Sequence, residues 1–283
     1  MTDKIGFVGL GNIGKPMAIN LANDSFDLCV YDIYQPKGEE LASRGAKVSA
    51  SLAEMASVCD MICICVRDDK DVEDVLSSPQ GVLSSSRPGM TVIIHSTIRK
   101  GTLLRLAAEA HKYEVHLLDA AVSGGASGAE QRNLCYMVGG STEQLERCRP
   151  IFETSAAKII HAGDVGAGLS LKLCNNLMTY ASFVAIHESA RLAQASGLSI
   201  DLLKQVGEVN GVVTPVMAGF IEGRNMVHAS CDEESFRNIF AGFAALGVKD
   251  MEAGLDLAAE LKIELPGAHC TYGLVEPVFF DEY

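Results

Sequence analysis

Residues 4–21 read KIGFVGLGNIGKPMAINL, an apolar run followed by a glycine-rich turn and an amphipathic segment. This order predicts a buried strand, a tight turn and a helix. Gly9, Gly11 and Gly14 give the spacing G-x-G-x-x-G. The first glycine permits the turn, the second lets the backbone approach a pyrophosphate, and the third lets the helix pack on the strand. The whole predicted cofactor-binding turn is Gly9, Leu10, Gly11, Asn12, Ile13 and Gly14.

An acidic residue stands at the distance that this turn requires. Asp32 follows an apolar run and lies ~20 residues past the glycines, where a carboxylate accepts hydrogen bonds from the adenosine ribose hydroxyls. Such a carboxylate repels the 2′-phosphate of NADP, and the nearest cation that follows is Lys37. The sequence therefore predicts NAD in preference to NADP. The alternative is an aspartate that only caps a turn.

Short apolar segments continue to alternate with helical patterns as far as residue 162. This alternation predicts a doubly wound parallel sheet, a Rossmann domain over residues 1–162. In such sheets, ligands bind beyond the carboxyl ends of the strands. Two of the predicted strand ends are Val66–Arg67 and Ser96–Thr97, and Val66, Arg67 and Thr97 are candidate cofactor contacts.

A further strand end reads DAAVSGGASGAE over residues 119–130. Ser123, Gly124 and Gly125 place a hydroxyl group beside exposed backbone amides. Several N–H donors that converge on two oxygens suit a carboxylate, so this segment is a candidate anion-binding loop. From spacing alone, a flexible loop without a ligand is an equally good interpretation.

Residues 163–176, GDVGAGLSLKLCNN, open a second long pattern. It predicts one helix over 169–196, roughly 40 Å long, and its charged residues argue against a membrane span. Lys172 and Asn176 are four residues apart and share a helical face, although each is also plausible as a solvated surface residue. No strand pattern returns afterwards, which predicts an all-helical second domain over 163–283. Pro266 is expected to end the last helical stretch, and residues 280–283 are expected to form a loose tail.

The bulk composition limits the function. A chain of 283 residues with 48% hydrophobic residues has room for two domains. The formal charge of −13 offers no basic surface to nucleic acid or to an anionic membrane, so neither is expected as a partner. No signal peptide is recognised, and the nine cysteines include no C-x-x-C. A cytoplasmic protein with free thiols and no metal site is expected.

Four motifs in a fixed order carry a family resemblance: GFVGLGNIGKPMAINL at 6–21, DAAVSGGASGAE at 119–130, GAGLSLKLCNN at 166–176 and GVKDM at 247–251. With these motifs the chain resembles the β-hydroxyacid dehydrogenase family over nearly its whole length. That family includes 3-hydroxyisobutyrate dehydrogenase, tartronate semialdehyde reductase and, more distantly, 6-phosphogluconate dehydrogenase.

The resemblance implies roles for individual residues. Lys172 matches the catalytic lysine of the family, and Asn176 matches the asparagine that holds the substrate. Thr97 matches a residue beside the nicotinamide ribose, and Lys249 matches a lysine that closes over the cofactor. The implied substrate-carboxylate loop is Ser123, Gly124 and Gly125. Family members form dimers or tetramers through an all-helical domain, so a homodimer or homotetramer is expected.

Some positions depart from the family pattern. Ala121 stands where proline is usual, and Arg67 and Lys100 replace residues that are more often small or proline. The stretch 211–236 is unfamiliar, and it is expected to help line the substrate pocket. The reaction class is therefore predicted more firmly than the substrate.

The predicted activity is hydride transfer between NAD(H) and a small 3-hydroxy acid or its semialdehyde. Lys172 is expected to act as general acid and base, which requires burial and neighbouring charge to lower the pKa of its amine. One alternative is an imine reductase, although such relatives generally lack this lysine. Another is a reductase of a short aldehyde such as glyoxylate, succinic semialdehyde or tartronate semialdehyde. A non-catalytic, NAD-gated binding module is expected to lose Lys172 or Asn176, and both are present.

Overall fold

The structure is a computed structural model that describes residues 3–24 and 26–283. The chain divides into two compact units, an N-terminal unit that ends at Lys172 and a C-terminal unit over Leu173–Tyr283. The division falls inside one long helix, some way past the boundary at residue 162 that the sequence suggested. The assignment of cofactor binding to residues 1–162, and of substrate binding and dimerisation to 163–283, stays a prediction.

The N-terminal unit alternates strands and helices. Its strands are β1 (Lys4–Val8), β2 (Asp27–Tyr31), β3 (Lys47–Val48), β4 (Met61–Ile64), β5 (Thr91–Ile94), β6 (His116–Ser123), β7 (Leu134–Gly139) and β8 (Ala156–Gly163). Its helices are α1 (Gly14–Asn23), α2 (Glu39–Ala42), α3 (Leu52–Val58), α4 (Asp69–Leu76), α5 (Lys100–His111), α6 (Gly125–Glu130) and α7 (Thr142–Glu153).

The strands form a single sheet in the order β3-β2-β1-β4-β5-β6-β7-β8. The predicted Rossmann fold is confirmed, with one correction, because β7 pairs antiparallel to β6 while all other neighbours are parallel. The antiparallel partner also extends β6 to Ser123, although a loop was expected from Asp119 onward. The sequence of β6 alone does not reveal that pairing, because its partner lies beyond a further helix.

Burial explains why the central strands are apolar along their whole length. Every residue of β4 and β5 is buried, as expected for strands covered on both faces. The helices on these faces begin at side-chain caps: Ser51 accepts from Glu54 N–H at α3, and Asp68 accepts from Asp71 N–H at α4. Local sequence and packing therefore agree on where these helices start.

The C-terminal unit is entirely helical among the described residues. The helix that crosses the division is α8 (Ala167–Ala195), and it is followed by α9 (Ile200–Asn210), α10 (Pro215–Ser230), α11 (Glu233–Glu260) and α12 (Pro266–Phe280). The helical stretch expected to end before Pro266 does so, since α11 stops at Glu260, and Pro266 itself is the first residue of the further helix α12. A proline fits there since the first helical N–H has no intrahelical partner.

Aromatic packing and a buried arginine hold the C-terminal unit together. Phe183 and Phe220 stack with ring centroids 4.1 Å apart. Arg224 is buried and donates to the carbonyl oxygen of Val278 at 2.7 Å. Its guanidinium also lies 3.3 Å from the carboxylate of Asp281, so the segment expected to be a loose tail is anchored by an ion pair.

The described residues contain neither a candidate membrane-spanning helix nor a candidate metal-binding cluster. None of their helices combines the length and the apolar character needed to cross a membrane. Within residues 3–24 and 26–283, no cluster of three or more His, Cys, Asp or Glu side chains has the arrangement of a metal site.

Candidate active site

The glycine turn after β1 has the geometry that its spacing predicts. Gly9 has a φ of +92°, and a Cβ there would lie 2.2 Å from the carbonyl oxygen of Cys65. A Cβ on Gly14 would lie 2.1 Å from the carbonyl oxygen of Gly9. Gly11 differs, because a Cβ there would meet no atom of the described residues within 4 Å other than those of its own chain neighbours. Gly9 and Gly14 therefore serve the fold, whereas Gly11 leaves room for a pyrophosphate to reach the backbone.

Asp32 lies beside this turn and is tied to it. Its Oδ2 atom accepts the N–H of Leu10 at 2.7 Å, and its Oδ1 atom accepts the N–H of Tyr34 at 2.9 Å. Lys37 Nζ lies 3.5 Å from Oδ2. A carboxylate has about four acceptor positions, so two backbone bonds fix its orientation and leave capacity for ribose hydroxyls.

The ends of β4 and β5 are joined by a reciprocal pair of hydrogen bonds. Ser96 Oγ accepts the N–H of Val66 and donates to the carbonyl oxygen of Val66, each at 2.8 Å. Thr97, the next residue, is half-buried. Arg67 is exposed, and its guanidinium forms a bidentate ion pair with Asp71 at 2.7 and 3.0 Å. The predicted cofactor contacts Val66 and Thr97 thus follow adjacent strand ends, whereas the side chain of Arg67 pairs with Asp71 in the following helix α4.

His95, at the end of β5, belongs to the core. Its Nδ1 atom is 2.8 Å from the carbonyl oxygen of Ala120, and its ring packs against Phe7, Tyr136 and Phe152. Its Nε2 atom is buried with no hydrogen-bond partner among the described residues. Burial lowers the pKa of His95 to about 4, against a smaller upward effect of the bond to Ala120. The ring is therefore neutral at physiological pH, and His95 contributes to the packing of the core.

This burial predicts a pH-dependent stability. Since the unfolded chain takes up the proton near pH 6.5 and the folded chain only near pH 4, stability is lost as pH falls through that window. At pH 5 the loss attributable to His95 is about 2 kcal/mol. Denaturant unfolding at pH 7.5 and pH 5 measures it, with His95→Gln as the variant that cannot titrate. An equal drop in both proteins would contradict the assignment.

The candidate carboxylate loop follows β6 directly. Ser123 is the last residue of the strand, and Gly124 and Gly125 are exposed with φ values of 134° and 64°. Both values lie in the left-handed region that favours glycine, so this pair suits the turn into α6. The structure thus places a hydroxyl and two exposed glycine amides at one strand end.

A buried carboxylate that sequence reasoning missed lies in the middle of β6. Asp119 Oδ1 accepts the N–H of Gly166, and its Oδ2 accepts the N–H of Leu169, both at 2.6 Å. These amides belong to the start of α8, one turn before the half-buried Lys172. The available signal was a single charged residue inside an otherwise apolar strand.

In the C-terminal unit, Asn176 has a buried partner. Its Nδ2 atom donates to Asp250 Oδ2 at 2.7 Å, and Tyr180 OH donates to the same oxygen at 3.4 Å. Lys249 Nζ lies 2.9 Å from Asp250 Oδ1, an ion-pair distance without the geometry of a hydrogen bond. Asp250, 3% exposed, thereby connects two residues that the resemblance implies are functional.

Close helix packing brings Asp250 to Asn176. A Cβ on Gly247 would lie 2.8 Å from Val275 and 2.9 Å from Tyr180, so only glycine lets α11 approach both neighbouring helices. The motif GVKDM therefore combines a packing glycine with a lysine and a carboxylate that take part in one network. Asp250 was also missed by sequence reasoning, although the motif that contains it was recognised.

The sheet, its glycine turn and the carboxylate at the end of β2 define a Rossmann dinucleotide-binding protein with a helical second unit. Residues 4–163 match the NAD binding domain of 6-phosphogluconate dehydrogenase. An uncharacterised oxidoreductase of Mycobacterium tuberculosis is 35% identical over 94% of this chain and 89% of its own length.

Two further comparisons agree with this match. The NAD-dependent L-serine dehydrogenase of Pseudomonas aeruginosa is 34% identical over 72% of this chain and 68% of its own length. The structure of Mycobacterium tuberculosis 3-hydroxyisobutyrate dehydrogenase with L-serine has a TM-score of 0.81 at 29% identity, covering 97% of this chain and 93% of that one. The chain belongs to the β-hydroxyacid dehydrogenase family, and the predicted family membership and oxidoreductase class are confirmed.

Proposed function

We propose that this enzyme oxidises a small 3-hydroxy acid with NAD, or reduces the corresponding semialdehyde with NADH. The observation that carries the proposal is the half-buried Lys172, placed one turn past the capped start of α8 in a chain with an open dinucleotide turn. When bound, NAD supplies the hydride acceptor. The proton of the alcohol must go elsewhere, and a neutral lysine amine can accept it.

Each proposed residue has a separate task. Ser123, Gly124 and Gly125 hold the substrate carboxylate through a hydroxyl and backbone amides. Lys172 takes the hydroxyl proton as the C–O bond becomes a carbonyl, and returns it to the alkoxide in the reverse direction. Asn176 hydrogen-bonds the same oxygen, and Asp250 fixes the orientation of its amide.

The names of two relatives support a 3-hydroxy acid. One is called an L-serine dehydrogenase. The other is called a 3-hydroxyisobutyrate dehydrogenase, and its structure contains L-serine. L-serine and 3-hydroxyisobutyrate both carry a primary alcohol on the carbon two positions from the carboxyl carbon. We therefore expect a substrate with this arrangement, and the group on the intervening carbon is varied in the panel of compounds below.

A panel of small 3-hydroxy acids tests the proposal. The set contains 3-hydroxypropionate, 3-hydroxyisobutyrate, L-serine, D-serine and glycerate, with NADH formation followed by absorbance. Glyoxylate, succinic semialdehyde and tartronate semialdehyde are run in the reducing direction. Turnover of at least one 3-hydroxy acid or of tartronate semialdehyde, the aldehyde of glycerate, is expected, and activity only on glyoxylate or succinic semialdehyde would favour the short-chain aldehyde reductase.

Two other functions are less well supported. An imine reductase is disfavoured because this chain has the lysine that such relatives generally lack, and a cyclic imine with NADPH provides the test. A binding module without catalysis is disfavoured because Lys172 and Asn176 are both present. NADH binding without turnover of any compound would support that module.

We propose NAD as the preferred cofactor, with Asp32 setting the preference. Asp32→Asn removes the charge that repels a 2′-phosphate and leaves Lys37, now 3.5 Å from the carboxylate, to attract one. The ratio of kcat/KM for NAD to that for NADP is expected to fall roughly tenfold or more, the equivalent of one hydrogen bond to a charged group. The double variant with Lys37→Ala should recover part of that ratio. A ratio within twofold of wild type would show that Asp32 does not discriminate.

We also propose that the enzyme self-associates, as a homodimer or homotetramer. The C-terminal unit exposes large apolar side chains, among them Val209 at 90%, Leu192 at 72% and Met226 at 70%. Apolar side chains in such numbers are typical of a surface that another subunit covers.

All nine cysteines are free thiols, which supports a reducing, cytoplasmic location.

A further inference from the structure

The first turn of α8 is held by a side chain from a distant part of the sequence. Asp119, 47 residues before Gly166, is 2% exposed, and each of its carboxylate oxygens accepts one helix-start amide. The first amides of a helix have no intrahelical acceptor, so a buried carboxylate that accepts two of them fixes the position of the turn. The helix is therefore attached to β6 at a defined point.

Two glycines make this attachment possible. A Cβ on Gly139 would lie 2.4 Å from Asp119 Oδ1, and a Cβ on Gly168 would lie 2.3 Å from the carbonyl oxygen of Met137. A side chain at Gly139 would displace the carboxylate of Asp119, and one at Gly168 would push the start of α8 away from the backbone of β7. Both glycines thus serve the same close contact that the carboxylate requires.

The charge of Asp119 suits this place. Burial raises the pKa of its carboxyl, while the bonds from Gly166 and Leu169 and the charge of Lys100 favour the ionised form. The positive end of the helix dipole favours a carboxylate as well. An asparagine of the same shape has only one acceptor oxygen, and its amide nitrogen would face a backbone N–H donor.

Strand β6 connects the start of α8, which carries Lys172, with the proposed carboxylate-binding loop. We call the two hydrogen bonds from Gly166 and Leu169 to Asp119 the clamp. Within β6, Asp119 lies four residues before Ser123, where the proposed carboxylate loop begins, and Lys172 follows Leu169 by one helical turn. We propose that Asp119 is a positioning residue for Lys172. By holding the first turn of α8, Asp119 fixes the position of the lysine relative to the Ser123–Gly125 loop. This inference rests on the proposed function, in which Lys172 exchanges a proton with a substrate whose carboxylate is bound by the Ser123–Gly125 loop.

Asp119→Asn tests the clamp in the full-length enzyme. Its kcat on the best 3-hydroxy acid of the panel is expected to fall roughly 100-fold, the effect of misplacing a reacting group by about 1 Å, with the Kd for NADH within about twofold. Hydrogen exchange followed by mass spectrometry should show amides 166–172 exchanging at least about tenfold faster, with those of β1 unchanged.

A second capped helix provides the control. Ser51 Oγ accepts the N–H of Glu54 at 3.1 Å at the start of α3, away from the proposed chemistry. Ser51→Ala should lower the melting temperature and leave kcat within about twofold of wild type. A low kcat in this control as well would mean that lost stability explains both variants, and would overturn the positioning role.

The remaining outcomes separate the two proposals. A kcat for Asp119→Asn within about threefold of wild type, with Lys172→Ala inactive, overturns the positioning role and leaves the function standing. Joint loss of kcat and of NADH affinity marks Asp119 as merely structural. If the wild type turns over no panel compound, the proposed function fails. Hydrogen exchange then tests the clamp by itself: unchanged exchange rates of amides 166–172 in Asp119→Asn would show that Asp119 does not hold this turn.

Discussion

Lys172→Ala is expected to lower kcat by roughly 10²- to 10⁴-fold, the range of a general acid–base catalyst, while NADH affinity changes little. The amine accepts the alcohol proton in one direction and donates it in the other, so both directions should slow together. Steady-state rates on the best panel substrate, with NADH binding followed by fluorescence titration, measure the two quantities separately.

Two control variants sharpen this experiment. Lys158→Ala removes an exposed lysine of β8 and should leave kcat within about twofold of wild type, as is usual for a surface substitution. Lys172→Arg keeps the positive charge but cannot release a proton near neutral pH, so it should be nearly as slow as the alanine variant. Activity within tenfold of wild type in Lys172→Ala would assign the proton transfer to another group.

The glycine turn predicts two opposite effects from the same small substitution. Gly14→Ala places a methyl group 2.1 Å from the carbonyl oxygen of Gly9, so the strand–turn–helix unit must shift. A loss of about 3 kcal/mol in the free energy of unfolding is expected, because overpacking here moves backbone. NADH binding should be lost with it.

Gly11→Ala is the matched variant. Beyond its own chain neighbours, its methyl group meets no atom of the described residues within 4 Å, so the free energy of unfolding should change by less than about 0.5 kcal/mol. The affinity for NADH should still fall roughly tenfold or more, because the methyl group occupies the space where a pyrophosphate approaches the backbone. Urea unfolding and NADH titration of both variants test the pair. Equal stabilities, or unchanged binding in Gly11→Ala, would contradict the separate roles of the two glycines.

Local patterns in the sequence determined the fold class and the order of its elements. The apolar run over 4–8, the glycine spacing after it and the long pattern from residue 169 each depend on neighbours within a few positions. The helix predicted over 169–196 is observed as Ala167–Ala195, and the Rossmann sheet is present. Motif order also indicated the family, because four short segments at set separations are more specific than any one of them.

Only the tertiary structure showed which side chains meet across long separations. The antiparallel pairing of β7 with β6, the carboxylate of Asp119 at the start of α8 and the bond from Asn176 to Asp250 join residues that no local pattern connects. A buried charge is recognisable in sequence as an exception, but its partner is not, since that partner is chosen by packing. The sequence by itself determined a Rossmann dehydrogenase with a candidate lysine. The tertiary structure decided how that lysine is held, because helix-start amides, a buried carboxylate and two glycines come together only when β6, β7 and α8 pack.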